Sequence, residues 1–114
     1  MTTGAILIQL RKEKDVGQKE VATYLNVSIA TIFNYENNVH SPDYAMLCRL
    51  ADYYGVTTDY LLGRTVYRND PKVLNRRISD EYTVTDVIDM ALALDSSEVH
   101  HLMEYAKFIQ TRRQ

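Results

Sequence analysis

The sequence predicts an all-α protein, built from five short helices and a helical hairpin. Three observations lead to this prediction. Gly occurs only 4 times and Pro only 2 times among the 114 residues, which disfavours a turn-rich β fold. Apolar residues recur every three or four positions, which is the repeat of an amphipathic helix. Residues that cap or end helices separate one such stretch from the next.

The first part of the chain, residues 1–64, is predicted to contain the five short helices. Four of them carry an apolar stripe at helical spacing, and tight connections between them predict a small orthogonal bundle. The residues of these stripes are Ile6, Leu7 and Leu10 in the first helix, Val21, Ala22 and Leu25 in the second, Ile32 and Tyr35 in the third, and Leu47, Leu50, Ala51 and Tyr54 in the fourth.

The ends of these helices are marked by residues with suitable local chemistry. Ser, Asp and Thr side chains accept hydrogen bonds from the free N–H groups at a helix start, whereas Gly or Asn adopts the left-handed conformation that ends a helix. The predicted starts are at Ser28, Asp43 and Thr57, and the predicted ends are at Gly17, Asn26, Gly55 and Gly63.

The rest of the chain is predicted to be a linker, residues 65–82, followed by an αα-hairpin, residues 83–114. The linker has no convincing period and contains a turn signal at Pro71, whereas Thr83 or Thr85 can start the first helix of the hairpin. Two amphipathic helices of this size bury too little to be stable alone.

The second helix of the hairpin therefore needs a surface to pack against. Its apolar stripe is formed by Val99, Leu102, Met103, Ala106 and Ile109. Two interpretations stay open: the stripe is the dimer contact between two copies of the chain, or it folds back onto residues 1–64.

Composition and charge exclude several classes of protein. The net charge is −2, so a nucleic-acid binder would have to arrange its basic groups locally. The longest apolar runs are a few residues, which is too short for a membrane span. The N-terminus lacks the basic and apolar regions of a signal peptide, and a cytoplasmic protein is predicted.

No catalytic or metal-binding constellation is predicted, and no cofactor is expected. The single thiol, Cys48, cannot form an internal disulfide and is predicted to be buried and inert. His100 and His101 are adjacent, not at the i, i+4 spacing of a zinc pair, so solvated positions are predicted for both.

The most informative segment is the predicted corner between the second and third helices. Ala22 is small enough for the third helix to approach the second closely, and Asn26 makes the turn between them. Val27 can plug the corner together with Leu25 and Ile32, which would hold the two helices near a right angle. The corner predicts a helix-turn-helix whose second helix fits the DNA major groove.

This segment resembles the Cro/repressor-type helix-turn-helix family, also called the xenobiotic-response-element regulators. The resemblance covers about residues 4 to 64, and it implies a five-helix lambda-repressor-like DNA-binding domain. One departure is Asn26, which stands where most members of the family have Gly. The residues that carry the resemblance are Gln18, Ala22, Asn26, Val27, Ser28, Thr31, Ile32, Tyr35 and Glu36, followed by the stretch from Leu50 to Gly63.

The resemblance also implies roles for individual residues. It places four residues at positions that read base edges: Ile29, Ala30, Phe33 and Asn34. It places the others at the sugar-phosphate backbone or at the start of a motif helix: Arg11, Gln18, Ser28, Thr31, Asn37 and His40.

The predicted reading face is unusual because it is apolar. Ile29, Ala30 and Phe33 suit the methyl groups of thymine, and Asn34 could bind adenine through two hydrogen bonds. This composition predicts a preference for A·T-rich half-sites. The alternative for Ile29 and Phe33 is core packing or contact with another protein.

Together these features predict a bacterial or phage transcriptional regulator. The function predicted first is a repressor that binds a palindromic operator on double-stranded DNA as a homodimer. The alternative is a protein-interaction module, antitoxin-like or anti-repressor, that uses the same fold to hold a protein partner. The acidic balance and the apolar third helix favour the alternative, whereas Gln18, Asn34 and the intact motif favour DNA.

Overall fold

A computed structural model describes residues 1–113 of the chain. Over this range the chain is helical apart from turns and one isolated antiparallel bridge between Arg77 and Thr83, so the predicted all-α class is confirmed. The chain forms two compact units, a first unit of residues 1–70 and a second unit that begins at Pro71. The helices are α1 (Thr3–Lys14), α2 (Gln18–Leu25), α3 (Ile29–Glu36), α4 (Tyr44–Tyr54), α5 (Thr58–Leu61), α6 (Val84–Leu92) and α7 (Ser96–Arg112), with a 3₁₀ helix at Pro71–Asn75.

Most of the helix starts and ends predicted from capping residues are found in the structure. The side chains of Ser28, Asp43 and Thr57 each accept a hydrogen bond from the backbone N–H three residues later. Asn26 ends α2 in the left-handed conformation, with φ 57°. The predicted end at Gly17 was wrong, because α1 stops two residues earlier at Asp15, which itself adopts φ 58°.

The core of the first unit draws on all of its helices and the turns between them. Tyr35, Tyr54 and Tyr60 are half-buried and pack against this core from its margin. The buried apolar residues are Ile6, Leu7, Leu10, Val21, Ala22, Leu25, Ile32, Leu50, Ala51, Val56 and Leu61.

A close contact holds the start of α1 against the end of α3. The backbone N–H of Gly4 donates to Oδ1 of Asn38 at 3.0 Å, and Nδ2 of Asn38 donates to Oγ1 of Thr2 at 3.0 Å. A Cβ atom at Gly4 would lie 2.4 Å from the carbonyl oxygen of Glu36. Asn38 makes these bonds from a left-handed backbone, with φ 60°. Only glycine therefore fits at position 4 without moving one of the two helices.

The first unit extends past residue 64, where the sequence analysis ended it. The guanidinium of Arg68 pairs with Glu13 of α1 and lies over the ring of Tyr60, 5.1 Å from its centroid. Oγ1 of Thr57 donates to the carbonyl oxygen of Tyr67 at 3.3 Å. The segment predicted as a linker is thus divided, with residues 65–70 on the first unit and the 3₁₀ helix in the second.

The Glu13–Arg68 pair predicts a pH-dependent contribution to stability. The hydrogen bond from Arg68 holds the pKa of the Glu13 carboxyl below its ordinary value. A lowered folded-state pKa stabilises the fold at pH values above the unfolded-state pKa, and this contribution is lost as the pH falls. We expect Glu13→Gln to lower the melting temperature slightly at pH 7, and the difference from wild type to disappear towards pH 3. Glu104→Gln, at an exposed i, i+3 pair, is the control, and a difference that grew at low pH would contradict the assignment.

The predicted burial of Cys48 was wrong, because its thiol is exposed. The buried side of α4 is formed by Leu50 and Ala51, and Cys48 lies on another side of the same helix. No described helix is long and apolar enough to cross a membrane.

The second unit is a pair of helices with well-formed starts but no buried core. Thr83 caps α6 and forms a reciprocal capping box with Asp86, and Asp95 does the same for α7 with Glu98. Of the two predicted starts for α6, the structure has the one at Thr83. No described residue from Pro71 onward is buried.

Candidate nucleic-acid interface

The corner between α2 and α3 is tight and presents α3 on the surface of the first unit. The backbone N–H of Val27 donates to the carbonyl oxygen of Ala22 at 3.0 Å, which closes the turn around Asn26. Val27 packs against the core beside the buried side chains of Leu25 and Ile32. One side of α3 therefore faces the core, and its opposite side is open.

The open side of α3 is apolar. Ile29 and Phe33 lie one helical turn apart and are 48% and 51% exposed, and Ala30 beside them is also exposed. Ile32, on the side of α3 that faces the core, is 2% exposed. Of the two alternatives to base reading, core packing therefore does not apply to Ile29 or Phe33, and contact with another protein remains.

Asn34 supplies a polar group next to this apolar face. Its side chain is half-buried and makes no hydrogen bond to the residues that the structure describes. Its backbone carbonyl accepts hydrogen bonds from the N–H groups of Val39 and His40. The backbone of Asn34 is thereby fixed, while its amide group keeps two donors and an acceptor for a ligand.

The residues expected at the DNA backbone lie near the two ends of α3, and the side chains of Ser28, Thr31 and Asn37 form hydrogen bonds within this segment. Oγ of Ser28 accepts from the backbone N–H of Thr31 at 3.1 Å, and the two hydroxyl groups share a hydrogen bond at 2.8 Å. Nδ2 of Asn37 donates to the carbonyl oxygen of Phe33 at 2.8 Å. His40 is exposed in the loop after α3. These side chains order the two ends of α3.

Arg11 and Gln18 both bond to a buried carboxylate, that of Glu36, to which the sequence analysis assigned no role. Glu36, at the end of α3, is 3% exposed. Nε of Arg11 lies 2.7 Å from Oε2 of Glu36, Nη2 of Arg11 lies 3.1 Å from Oε1, and Nε2 of Gln18 donates to the same Oε1 at 3.0 Å. Glu36 thereby joins α1, α2 and α3 in a single cluster.

In this cluster all three guanidinium nitrogens of Arg11 donate hydrogen bonds to groups of the protein itself. Besides its two bonds to Glu36, Nη1 of Arg11 donates to the carbonyl oxygen of Val16 at 3.2 Å. The hydrogen bond to Glu36 raises the pKa of Arg11. Burial raises the pKa of the neighbouring Tyr54, and the charge of Glu36 raises it further. One signal could have located the cluster, since Glu36 follows Ile32 by four residues and so shares its inward side.

Positive charge is scarce around the open face of α3. The helix contains no Lys or Arg, and its only acid, Glu36, is neutralised by Arg11. Lys19, in the first turn of α2, is exposed. The start of α2 has no side-chain cap, because its N-cap residue is Gly17. The N–H groups of that first turn are therefore open to an anion.

The described residues include no group of three or more His, Cys, Asp or Glu side chains that could hold a metal ion. His100 and His101 are exposed neighbours on α7, with ring centroids 6.2 Å apart.

Comparison with known proteins places this geometry in a family. A helix-turn-helix family matches residues 7–61. The chain is 32% identical over 100 residues to the HTH-type transcriptional regulator ImmR of Bacillus subtilis (strain 168), covering 86% of this chain and 79% of that protein. It is 26% identical over 110 residues to the regulator AnsR of the same organism, covering 94% and 90% of the two chains.

A solved structure has the same fold. The crystal structure of a transcriptional regulator from Listeria innocua matches 96% of this chain and 94% of its own, with a TM-score of 0.54 and 20% sequence identity. The resemblance predicted from residues 4 to 64 is confirmed by these relatives. The chain belongs to the Cro/C1-type helix-turn-helix family of DNA-binding transcriptional regulators.

Proposed function

We propose that this protein is a repressor that binds an A·T-rich, palindromic operator as a homodimer. In this proposal α3 of each copy lies in the major groove, at half-sites about 34–36 Å apart, one turn of the duplex. The observation that carries the proposal is the open face of α3, where Ile29 and Phe33 are exposed and the neighbouring Asn34 amide makes no hydrogen bond to the described residues. Apolar side chains contact thymine methyl groups, and an Asn amide pairs with the N6 and N7 atoms of adenine.

The backbone contacts in this proposal come from the ends of the two motif helices. The uncapped start of α2 receives one phosphate, with Gln18 and Lys19 beside it. Arg11 acts indirectly, because its guanidinium neutralises the Glu36 carboxylate that would otherwise repel that phosphate. The other proposed contacts, around the ends of α3, are Ser28, Thr31, Asn37 and His40.

A dimer follows from the limited reach of a single motif. One α3 contacts only a few base pairs, whereas two copies related by a two-fold axis read both halves of a palindrome. The apolar stripe of α7 is the proposed contact. Val99 is half-buried, and Leu102, Met103, Ala106 and Ile109 are exposed along the helix.

A second candidate function, binding to another protein, is supported by the lack of positive charge on the same face of α3. Because α3 carries no Lys or Arg, Ile29 and Phe33 would suit an apolar patch on another protein as well as they suit thymine. An antitoxin-like or anti-repressor protein would use the face in this way. The two candidates differ in salt dependence, because only DNA binding releases condensed counterions.

The experiment that tests the proposal compares two substitutions after bound fragments have been selected from a genomic pool. We expect Asn34→Ala to reduce discrimination against altered A·T pairs by about 1–3 kcal/mol, while non-specific binding is kept. We expect Lys19→Ala to weaken all sequences equally and to reduce the salt slope by about one. Fluorescence anisotropy at several salt concentrations measures both effects.

One control and two outcomes complete this test. Asn69→Ala, at an exposed position far along the sequence from α3, should change neither quantity. If wild-type protein selects no fragment and its weak binding has no salt slope, DNA recognition by this face is refuted. If Asn34→Ala retains full discrimination, the amide does not read a base.

A further inference from the structure

The second unit contains an apolar groove that is not filled by any other described residue of this unit. The groove has a volume of about 230 Å³ and lies between α6 and α7. Its apolar walls are Tyr82, Val87 and Met90 from one side and Leu102 from the other. Since no described residue of this unit is buried, the groove is the nearest feature to a core that the unit has.

The groove has an acidic rim. Asp86 lines the groove itself, and Glu81 and Asp89 line the adjoining surface next to Tyr82 and Met90. The carboxylate of Asp86 accepts a hydrogen bond from the backbone N–H of Thr83 in the capping box of α6. Glu81 and Asp89 have no ion-pair partner among residues 1–113. Helix α6 has no Lys or Arg that could offset these charges.

The far end of α7 has the opposite character. Phe108 is 57% exposed, and the guanidinium of Arg112 lies over its ring, 5.8 Å from the centroid. Arg112 and Arg113 form no ion pair within the described residues. Tyr105 stacks near Phe108, with ring centroids 6.4 Å apart, and is itself exposed. The end of α7 thus carries two exposed aromatic rings, Tyr105 and Phe108, followed by the positive charges of Arg112 and Arg113.

The end of α7 cannot fill the groove of its own chain. Helix α7 is continuous over its 17 residues, and Leu102 already forms one wall of the groove. Phe108 lies about 9 Å farther along the helix axis, and Arg112 about 15 Å farther. A straight helix cannot return its end to a groove that its middle lines, so the end of α7 can enter this groove only in a second copy of the chain.

We infer that the apolar groove of each chain receives the aromatic, basic end of α7 from a second copy. Phe108 of one copy packs on Val87 and Met90 of the other, and Arg112 and Arg113 lie against the acidic rim of Glu81 and Asp89. The contact is made twice across a two-fold axis, so each copy gives one helix end and receives one. This inference rests on the proposed homodimer and adds a second contact, made by the end of α7, to the one proposed for its apolar stripe.

Charge reversal tests the pairing directly. Variant A carries Glu81→Lys and Asp89→Lys, and variant B carries Arg112→Glu and Arg113→Glu. In a homodimer of either variant like charges face each other, so we expect its dissociation constant to rise by about 100-fold. In a mixture of A and B the reversed charges are complementary at both contacts. We therefore expect a heterodimer that is as stable as the wild-type homodimer, measured by sedimentation equilibrium and native mass spectrometry.

Matched controls separate the charges from the fold. Glu20→Lys with Asp52→Lys reverses two exposed acids of the first unit and should leave the wild-type dimer unchanged. Phe108→Ala should weaken the dimer without any change of charge, whereas Tyr44→Ala, at a side chain that is 92% exposed in the first unit, should not. Circular dichroism checks that the variants keep the helix content of the wild type.

Three outcomes would overturn the inference: a wild-type chain that stays monomeric, variants A and B that each dimerise normally, or a mixture that forms no heterodimer. The proposed operator binding has a separate readout. If the charge-swapped pair assembles but wild-type protein selects no DNA, the interface stands and the proposed function falls. If wild-type protein selects an operator but the mixture of variants A and B forms no heterodimer, the proposed function stands and the inferred interface is refuted.

Discussion

Arg11→Met is expected to lower the free energy of unfolding by about 3–5 kcal/mol, because it leaves a buried carboxylate without its counter-charge. Glu36 is 3% exposed, and Arg11 supplies two of the three side-chain hydrogen bonds that its oxygens accept. Removal of one partner from a buried ion pair costs far more than the pair contributes as a whole. Urea unfolding followed by circular dichroism measures the change.

The double variant Arg11→Met, Glu36→Leu distinguishes the cause of this loss. If the penalty comes from the unpaired charge, replacement of both partners by apolar side chains should recover most of the lost stability. Arg68→Met, which breaks the half-exposed pair with Glu13, is the matched control and should have a small effect. A double variant as unstable as Arg11→Met would contradict the explanation by charge and point to lost packing of the Arg11 side chain.

The same cluster links stability to recognition. Glu36 ends the helix that carries Phe33 and Asn34, and its carboxylate is bonded to α1 through Arg11 and to α2 through Gln18. A fold that keeps its helices but loses this cluster would present α3 at a less defined angle to α2. We therefore infer that Arg11 matters for operator binding even though its guanidinium faces inward.

The helix starts and the turn of the motif could be predicted from the sequence because they depend on residues that are close together in the chain. Capping by Ser28 or Thr83 depends on bonds within three residues, and the turn at Asn26 depends on the conformation of one residue, so both could be predicted from sequence alone. The inward position of Ile32 could also be predicted from helical spacing, whereas spacing left core packing open for Ile29 and Phe33, which the structure shows exposed.

Contacts between residues far apart in the chain explain what could not be predicted. Arg68 meets Glu13 across 55 positions, so no local pattern indicated that the first unit continues to residue 70. The inward side of Glu36 could be predicted from its spacing, but not its pairing with Arg11, 25 positions away. Without that pairing, only the family resemblance indicated a role for Arg11, and the resemblance implied contact with a phosphate.

The contact between α1 and the end of α3 predicts a second large effect. In a helix interior Ala is favoured over Gly by about 0.5–1 kcal/mol, so Gly4→Ala would stabilise α1 if the site were open. The added methyl group would instead lie 2.4 Å from the carbonyl oxygen of Glu36 and 2.8 Å from the amide of Asn38. Because the carbonyl belongs to a helix held by the Arg11–Glu36 pair, we expect it to move aside only at a cost in stability.

We therefore expect Gly4→Ala to destabilise the fold by about 3 kcal/mol, the cost of an overpacked site that forces the backbone to shift. Gly17→Ala is the matched control, since nothing lies within 4 Å of its added methyl group, and a change of at most about 1 kcal/mol is expected for a weaker helix cap. Thermal and urea unfolding of both variants measure the difference. A Gly4→Ala variant more stable than wild type would mean that α1 and α3 are free to separate. In that case this contact would not fix the orientation of the helix that carries Ile29, Phe33 and Asn34.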